Sequence, residues 1–345
     1  MTQAGRGGIA VFVNPRSREN RRNPGLARTL AAVLGDAGQV LSPASLEELR
    51  ATAATLRAAP PDMLAVHGGD GTLHKVVTAL GEAFGDAPLP PIAVLPGGTM
   101  NVVASSLGIG SKPIPFLRAL ADAARAGRPP ALMQRRCLRV GEHLGFVFGN
   151  GLAANFLEKY YADDGYGPRR ALWLLTRTFF SAIVGGPFVR AVFRRFEGEV
   201  RVDGAPLPLT RFVGVNAATV REVGMGFKLN HRADDDPERF GVLAIHAPPL
   251  ALSRDLPAVL GGRGIAPSRA FSAVASTLEI VPVSGSGEMS YTIDGDLYRT
   301  SAPSLRLTVG PRIQFVRPPG RAGEIAHSPE LLSAAPGDTM GAAPR

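Results

Sequence analysis

The chain has little cysteine, little lysine and no long apolar run, and each shortage excludes something. The single cysteine, Cys137, excludes an intramolecular disulfide and a zinc site built from paired cysteines. A reducing, cytoplasmic setting is the resulting expectation. Residues 1–8 lack the apolar core of a secretion signal, and the longest nearly uncharged apolar run, residues 178–189, is shorter than the roughly 20 residues of a spanning helix. We therefore expect a protein that does not cross a membrane unaided.

Lysine supplies only four of the 38 basic residues, so arginine carries most of the positive charge. Against 29 acidic residues this leaves a formal net charge of +9 at pH 7. The excess fits both a composition rich in Ala, Gly, Pro and Arg and an anionic partner, namely a membrane surface, nucleic acid or polyphosphate. The 345 residues, 45% hydrophobic and 19% charged, indicate a folded chain of about two domains.

Three short apolar segments near the N-terminus are each followed by a turn and a stretch of helical length. They are Ile9–Val13, residues 63–66 and residues 92–95. Apolar strands that do not alternate with polar residues are typical of a parallel sheet covered on both faces, where ligands bind at the carboxyl ends of the strands. We therefore predict an α/β domain whose three turns face one site.

A Pro/Gly/Arg-rich stretch, residues 125–136, is interpreted as a domain boundary. The strand-like segments beyond it predict a mostly antiparallel β domain, interrupted by one helical stretch near residues 169–178. After residue 318 the composition is rich in Ala, Pro, Gly and Ser, which predicts a disordered tail.

Two of the N-terminal turns are rich in glycine, at residues 68–72 and 96–101. Glycine lets the backbone approach a ligand closely, and amide groups at a helix start attract phosphate, while Asp70 could hold a magnesium ion or order the loop. The alternative is ordinary turn chemistry with helix caps. Because two such turns follow strands of one sheet, a nucleotide phosphate site is the favoured interpretation.

The order of these motifs resembles the diacylglycerol kinase catalytic-domain family, which includes the sphingosine kinases. Members carry an Asn-Pro turn, a Gly-Gly-Asp-Gly-Thr loop, a Pro-x-Gly-Thr-x-Asn turn and an Asp-Gly-Glu segment. The matching residues here are Asn14 with Pro15, residues 68–72, residues 96–101 and residues 294–296. The Gly-Gly-Asp-Gly loop is shared with NAD kinases and phosphofructokinases, so the Pro-x-Gly-Thr-x-Asn turn favours the lipid-kinase branch. The resemblance covers about residues 9–316.

The resemblance implies an α/β fold in two parts. Residues 1–130 would form a parallel-sheet nucleotide-binding domain like that of NAD kinase and phosphofructokinase. Residues 131–302 would form a mostly antiparallel β-sandwich domain for the lipid substrate. A final strand, about 303–317, would return to the first domain, and residues 318–345 would remain as the tail.

The resemblance also implies ATP and Mg²⁺, with Asp70 as the metal-binding residue. The implied nucleotide-binding residues are Asn14, Pro15, Ser17, Ser42, Gly68, Gly69, Asp70, Gly71, Thr72, Gly97, Gly98, Thr99 and Asn101. The implied catalytic residues are Asp294 and Asp296, one of which would accept the proton of the acceptor hydroxyl. An Asp-Gly pair is also a common hairpin turn, as expected for Asp203 and Gly204.

Four positions depart from the family pattern. Ala153 and Phe240 replace acidic residues of two segments. The first replacement leaves one implied substrate-side contact open, and the second predicts that one structural magnesium site is absent. Asp296 replaces a glutamate and leaves open which carboxylate is the base. Lys75 stands where an acidic residue is common.

Residues 169–195 contain six arginines, five interleaved aromatic residues and no acidic residue. This composition suits a peripheral contact with an anionic membrane, although the aromatic side chains could equally belong to a core. No nucleic-acid-binding module is recognisable, so nucleic acid is not an expected partner.

The expected function is an ATP-dependent lipid kinase at the inner face of the membrane, with diacylglycerol as the first acceptor and a sphingoid base or ceramide as rivals. The alternatives are a kinase of a soluble acceptor such as NAD and an inactive nucleotide- and membrane-binding protein. The sequence leaves the oligomeric state open, with a homodimer as one option.

Overall fold

The computed structural model describes residues 7–17, 20, 22–110, 112–161, 186–224, 226–283 and 288–318. The helices are α1 (Leu26–Leu34), α2 (Leu46–Ala58), α3 (Asp70–Phe84), α4 (Val102–Ser106), α5 (Pro113–Arg125), α6 (Leu152–Tyr161), α7 (Pro187–Val192), α8 (Pro249–Ser253) and α9 (Leu256–Leu260), with a 3₁₀ turn at Gly35–Ala37. The strands are β1 (Ile9–Val13), β2 (Gly38–Leu41), β3 (Met63–Gly68), β4 (Ile92–Pro96), β5 (Leu132–Val140), β6 (His143–Gly145), β7 (Val147–Gly151), β8 (Phe196–Val202), β9 (Ala205–Pro206), β10 (Arg211–Phe212), β11 (Gly214–Ala218), β12 (Phe240–Ile245), β13 (Ala270–Ala275), β14 (Thr277–Pro282), β15 (Met289–Ile293), β16 (Asp296–Thr300) and β17 (Leu305–Val316).

One sheet of eleven strands joins the N-terminal and C-terminal parts of the described chain. Its parallel part has the order β4-β3-β1-β2, and β1, β3 and β4 are buried along their whole length. Helices cover these strands: α1 packs against α5, and α2 packs against α3. Burial on both faces explains why the three strands are apolar without alternation.

Strand β17 connects the two halves of this sheet. Phe315 pairs in parallel with Ile92 of β4, and β17 also pairs antiparallel with β5 and β14. The last described strand therefore lies in the same sheet as the strands that precede the two glycine-rich turns.

A second sheet has the order β13-β12-β11-β7-β15-β16 and is antiparallel throughout. It packs face to face with the antiparallel part of the first sheet, and the two share one apolar core. Members of that core from the first sheet include Leu138, Val200, Leu278 and Leu307, and members from the second include Phe148, Val215, Phe240 and Ile293. The predicted fold class, an α/β unit with a second, antiparallel β unit, is confirmed.

Two local predictions differ from the structure. The half-exposed β2 was not predicted as a strand, because its four residues begin with glycine and carry a weak apolar signal. The stretch 125–136, interpreted as a boundary, already contains the first residues of β5, because the long strand β17 supplies a partner for them.

Several predicted features lie outside the described residues. They are the helix near residues 169–178, most of the arginine-rich segment 169–195, and the tail apart from residue 318. Within the described ranges, no helix has both the length and the apolarity to span a bilayer.

The close approach of β2 to β1 gives a test of the parallel sheet. A Cβ atom on Gly38 would lie 1.9 Å from the Ile9 carbonyl oxygen, so Gly38→Ala should force the two backbones apart. We expect a loss of about 2–3 kcal/mol in the free energy of unfolding, measured by urea denaturation. Gly110→Ala, where a Cβ meets no atom within 4 Å, should change it by less than about 0.5 kcal/mol. Equal stability of both variants would contradict the register.

Candidate active site

The two glycine-rich turns touch each other through their backbones at the carboxyl ends of β3 and β4. A Cβ atom on Gly98 would lie only 2.3 Å from Gly69 Cα, a separation that no side chain tolerates. The amide of Gly97 donates to the Gly68 carbonyl oxygen at 2.9 Å. The contact explains why both turns need glycine, and it places the two turns side by side at one edge of the sheet.

Asn101 shapes the second turn rather than capping the helix that follows it. Its φ is +49°, in the left-handed region. Its Oδ1 accepts from the Gly98 amide at 2.9 Å, and its Nδ2 donates to the Gly98 carbonyl oxygen at 3.1 Å. Thr99, between them in the chain, is exposed.

Asp70, in the first glycine-rich turn, provides the side-chain cap of α4 that Asn101 does not provide. Its Oδ1 accepts the Val103 amide, in the first turn of α4, at 3.0 Å. Burial raises the pKa of Asp70, while the backbone amides of Val103, Val102 and Asn101 oppose this shift. One carboxylate thus fixes the two turns relative to each other and lies between them.

The end of β1 contributes Asn14 to the same edge of the sheet. Its Nδ2 donates to Thr72 Oγ1 at 3.3 Å, and its carbonyl oxygen accepts the Ser17 amide at 3.0 Å. Pro15 and Ser42 are exposed, and Ser42 follows the edge strand β2. Within the described ranges, no hydrogen bond joins Ser42 to the two glycine-rich turns.

The acidic pair reaches this edge from the C-terminal part of the chain. Asp294 and Gly295 form the turn of the β15–β16 hairpin, with φ values of +47° and +85°. A Cβ atom on Gly71 would lie 3.0 Å from Asp296 Oδ1. The structure therefore brings the carboxylate of Asp296 against the first glycine-rich turn.

Asp294 is buried and fully engaged with backbone. The residue is only 7% exposed. Its carboxylate oxygens accept the Phe146 amide at 3.0 and 3.1 Å and the Val147 amide at 2.8 Å. Burial raises the pKa of Asp294 well above its usual range, and the nearby charges of Asp70 and Asp296 add to the shift.

A second Asp-Gly hairpin shows what such an aspartate does on its own. Asp203, with φ +49°, begins the turn between β8 and β9, and its Oδ1 accepts the amides of Ser276 and Thr277, both at 2.8 Å. Asp294 makes the same bonds to Phe146 and Val147. The shared geometry is a structural device that holds a hairpin turn to a neighbouring strand.

Asp296 is the more accessible carboxylate of the pair. Its side chain is 27% exposed and its Oδ2 lies 2.9 Å from Lys75 Nζ. Lys75 follows Gly71 by four residues on α3, so both lie on the helix face toward the hairpin. Lys75, where the resemblance implies an acidic residue, thus pairs with Asp296, where the resemblance implies a glutamate.

A buried histidine makes a second link between α3 and β16. His74 Nδ1 lies 2.7 Å from the Leu144 carbonyl oxygen and must donate, because a carbonyl oxygen only accepts. Its Nε2 then accepts from the Tyr298 hydroxyl at 2.6 Å. Burial lowers the pKa of His74 to about 4, which agrees with a neutral ring.

The sequence interpretation missed His74, Tyr298 and the amides of Phe146 and Val147 as parts of this site. A signal existed for the side chains: Asp296 and Tyr298 alternate on β16 and share a face, and they meet the adjacent residues Lys75 and His74. Nothing in the local sequence signals the two amides.

The oxygen donors of the site fit a divalent cation that is shared with a phosphate ligand. The charges of Asp70 and Asp296 raise the pKa of Asp294, and Lys75 pairs with Asp296. Magnesium binds through one or two carboxylates, phosphate oxygens and water. In the part of the chain that the structure describes, no group of three acidic, histidine or cysteine side chains could hold a metal by itself.

The comparisons with known proteins agree with the motifs. Residues 8–127 match the family model of the diacylglycerol kinase catalytic domain, which confirms the resemblance to that family. A Pseudomonas aeruginosa protein named "Probable lipid kinase YegS-like" is 29% identical over 255 residues, which cover 72% of this chain and 74% of that protein.

Two crystal structures from Bacillus anthracis str. Sterne share the fold. One, a diacylglycerol kinase, has a TM-score of 0.59 at 14% identity and covers 90% of this chain and 96% of its own. The other, provisionally described as a diacylglycerol kinase, has a TM-score of 0.65 at 14% identity and covers 92% of this chain and 98% of its own.

The link through His74 predicts a specific pH dependence of stability. The folded pKa of about 4 lies below the ordinary value of 6.5, so the unfolded chain binds the extra proton first as pH falls. The His74 contribution should be complete above pH 6.5 and decrease towards pH 4, by up to about 3 kcal/mol.

Urea unfolding across this range measures the effect. His74→Gln should have a flatter dependence of unfolding free energy on pH than the wild type, and His246→Gln, outside the cluster, should keep the wild-type dependence. Parallel curves for the wild type and His74→Gln would show that His74 does not lose its proton on folding.

Proposed function

We propose that this chain, whose residues 8–127 match the family model of the diacylglycerol kinase catalytic domain, is an ATP-dependent lipid kinase. It would transfer the γ-phosphate of ATP to a hydroxyl of a membrane lipid, with diacylglycerol as the first candidate. The observation that carries the proposal is the approach of Asp296 to Gly71, where a Cβ atom would lie 3.0 Å from the carboxylate. A candidate proton acceptor thereby lies beside a candidate phosphate cradle.

The touching turns supply the phosphate-binding groups. The amides of Gly97, Gly98 and Thr72 already donate within the turns. The amides that would bind the nucleotide phosphates are therefore those of Gly69, Gly71 and Thr99, assisted by the N-terminus of α3. Asn14 and Thr72 would border this surface from the end of β1. Phosphoryl transfer depends mainly on positioning and charge stabilisation, which fixed backbone donors provide without reorganisation.

Asp296 is the better candidate for the base. It faces the glycine-rich turn and is partly exposed, whereas the oxygens of Asp294 accept the amides of Phe146 and Val147. In the proposed step, Asp296 accepts the proton of the lipid hydroxyl as that oxygen bonds to the γ-phosphorus and the bond to the ADP oxygen breaks. Asp294 is then a positioning residue that holds the hairpin in place.

Asp70 is the residue that would hold Mg²⁺ together with the nucleotide phosphates. The bound ion would neutralise phosphate charge during the transfer. Because Asp70 also caps α4, its carboxylate is positioned by the second turn before any ligand arrives.

Three matched substitutions separate the roles of the acidic residues. Asp296→Asn should lower kcat at least about 100-fold with little change in the KM for ATP, because it removes the proton acceptor. Asp203→Asn changes the equivalent turn far from the glycine-rich turns and should lower stability while kcat is retained. Asp294→Asn should lower stability in the same way as Asp203→Asn, and kcat by less than Asp296→Asn.

Radiolabelled ATP with diacylglycerol, ceramide or NAD as acceptor gives the measurement. Phosphorylation of NAD alone would assign a soluble acceptor, and no turnover with any acceptor would favour a nucleotide- and membrane-binding protein. Wild-type kcat in Asp296→Asn would remove Asp296 from the base role.

Lys75 should matter through its pairing with Asp296. Lys75→Met leaves that carboxylate without its cation beside the nucleotide phosphates, and we expect kcat to fall about tenfold, the equivalent of about 1.4 kcal/mol. Lys75→Arg should restore most of the activity, and Lys112→Met, on an exposed residue, is the matched control. In the Asp296→Asn background, the added Lys75→Met should change kcat little. A further tenfold loss of kcat in the double variant would show that the two residues act independently.

A further inference from the structure

Basic side chains converge on a glycine-rich loop of the second unit, residues 261–264. Arg221 Nη2 donates to the Gly262 carbonyl oxygen at 3.2 Å. A Cβ atom on Gly262 would lie 3.3 Å from Lys228 Cδ, and one on Gly264 would lie 2.1 Å from His231 Nδ1. Both glycines have positive φ, so the loop needs glycine for its shape as well as for these contacts.

Two cations at this loop, Lys228 and Arg263, have no carboxylate partner among the described residues. Arg221 lies 3.9 Å from an Asp234 oxygen, and Asp235, close to His231, pairs with Arg232 at 2.7 Å. Lys228 and Arg263 form no ion pair with any other residue that the structure describes. The loop therefore presents two unpaired positive charges, which would attract an anion.

A cavity opens beside this loop. It has a volume of about 290 Å³, with His231, Arg263 and Ser272 among its polar lining residues and Ile265 and Phe271 among its apolar ones. An arginine in the lining of a partly apolar cavity suits a phosphate ester that also carries carbon, rather than a bare inorganic ion.

Two exposed leucines lie on the helices that precede the loop. Leu250 on α8 is 52% exposed and Leu260, at the end of α9, is 45% exposed. The same helices are anchored to the second sheet by Leu252 and Val259, which pack in a core with Phe193. Leu252 of α8 is partly buried in that core and Val259 of α9 is buried, whereas Leu250 and Leu260 of the same helices face solvent.

We propose that α8, α9 and the loop 261–264 form a docking surface for an anionic phospholipid bilayer. Arg263, from the lining of the cavity, and Lys228, from beside Gly262 of the loop, bind a headgroup phosphate, and Leu250 and Leu260 enter the interface. Unpaired cations beside exposed leucines favour a bilayer over an acidic peptide or a nucleic acid, which would not cover leucines. The inference deepens the proposed function and rests on it for its purpose, since a lipid kinase must reach its lipid.

The docking surface is linked to the glycine-rich turns by the segment that carries Arg221 and Lys228. Within that segment, Glu222 accepts the Ser105 hydroxyl of α4 at 2.9 Å, and a Cβ on Gly224 would lie 2.4 Å from Met100 Sδ. The chain between β11 and β12 thus contacts the second glycine-rich turn through Gly224 and the basic loop through Arg221 and Lys228, on either side of Gly224.

Co-sedimentation with vesicles tests the surface. The full chain is mixed either with vesicles of phosphatidylcholine alone or with vesicles that also contain about 30 mol % of the anionic lipid phosphatidylglycerol. The wild type should prefer the anionic vesicles, and the pair Lys228→Glu with Arg263→Glu should weaken that binding about 30-fold or more. Leu250→Ser with Leu260→Ser should weaken it as well, and near-native melting curves check that each variant is folded.

A charge-matched control separates a local surface from net charge. Arg118→Glu with Arg128→Glu changes the same number of charges on exposed residues elsewhere and should retain binding within about threefold. Equal loss in both double variants, equal binding of the wild type to neutral and anionic vesicles, or unchanged binding of the Lys228 and Arg263 variant would overturn the proposal.

Two further arms distinguish other anions and the kinase activity itself. Displacement of the protein from vesicles by millimolar inorganic phosphate, or loss of RNA binding but not vesicle binding in the variant, would contradict a bilayer partner. Turnover of a water-soluble short-chain diacylglycerol by the wild type is measured without vesicles. If that turnover is absent while selective vesicle binding persists, the proposed function fails and the docking surface stands.

Discussion

The approach of Asp296 to the backbone of Gly71 is the contact on which the rest of the site depends. Residues distant in sequence meet there because β17 lies beside β4 in the first sheet while β15 and β16 belong to the second. Two further contacts hold the meeting point: the Lys75 ion pair at 2.9 Å and the His74–Tyr298 hydrogen bond at 2.6 Å. Both begin on α3, the helix that opens with the first glycine-rich turn, so the turn and the hairpin are positioned by one element.

Comparison of the two Asp-Gly hairpins distinguishes the structural role of Asp203 and Asp294 from the proposed chemical role of Asp296. Asp203 and Asp294 use their carboxylates in the same way, to accept two consecutive amides of a neighbouring strand. What distinguishes the second hairpin is the residue that follows its glycine, because Asp296 alone is turned towards a glycine-rich turn. The short Asp296 side chain reaches that turn, and its charge is balanced by Lys75.

Local sequence predicted the elements better than the contacts between them. The run Ile9–Val13 is apolar without alternation, so its burial within a parallel sheet could be predicted, and the glycine-rich turns could be placed at strand ends. The cap that Asp70 provides for α4 could not be predicted, because it joins residues 33 apart through a turn whose shape depends on Asn101. The His74–Tyr298 bond spans 224 residues and exists only once both sheets have packed.

A crystal structure with Mg²⁺ and a non-hydrolysable ATP analogue tests the central claim most directly. The account predicts that the terminal phosphate lies on the turns formed by residues 68–72 and 97–101. It also predicts that Asp296 lies within about 6 Å of the phosphorus, the sum of a near-attack distance and a hydrogen bond. A nucleotide bound away from these turns, or with Asp296 turned away from its terminal phosphate, would contradict the account.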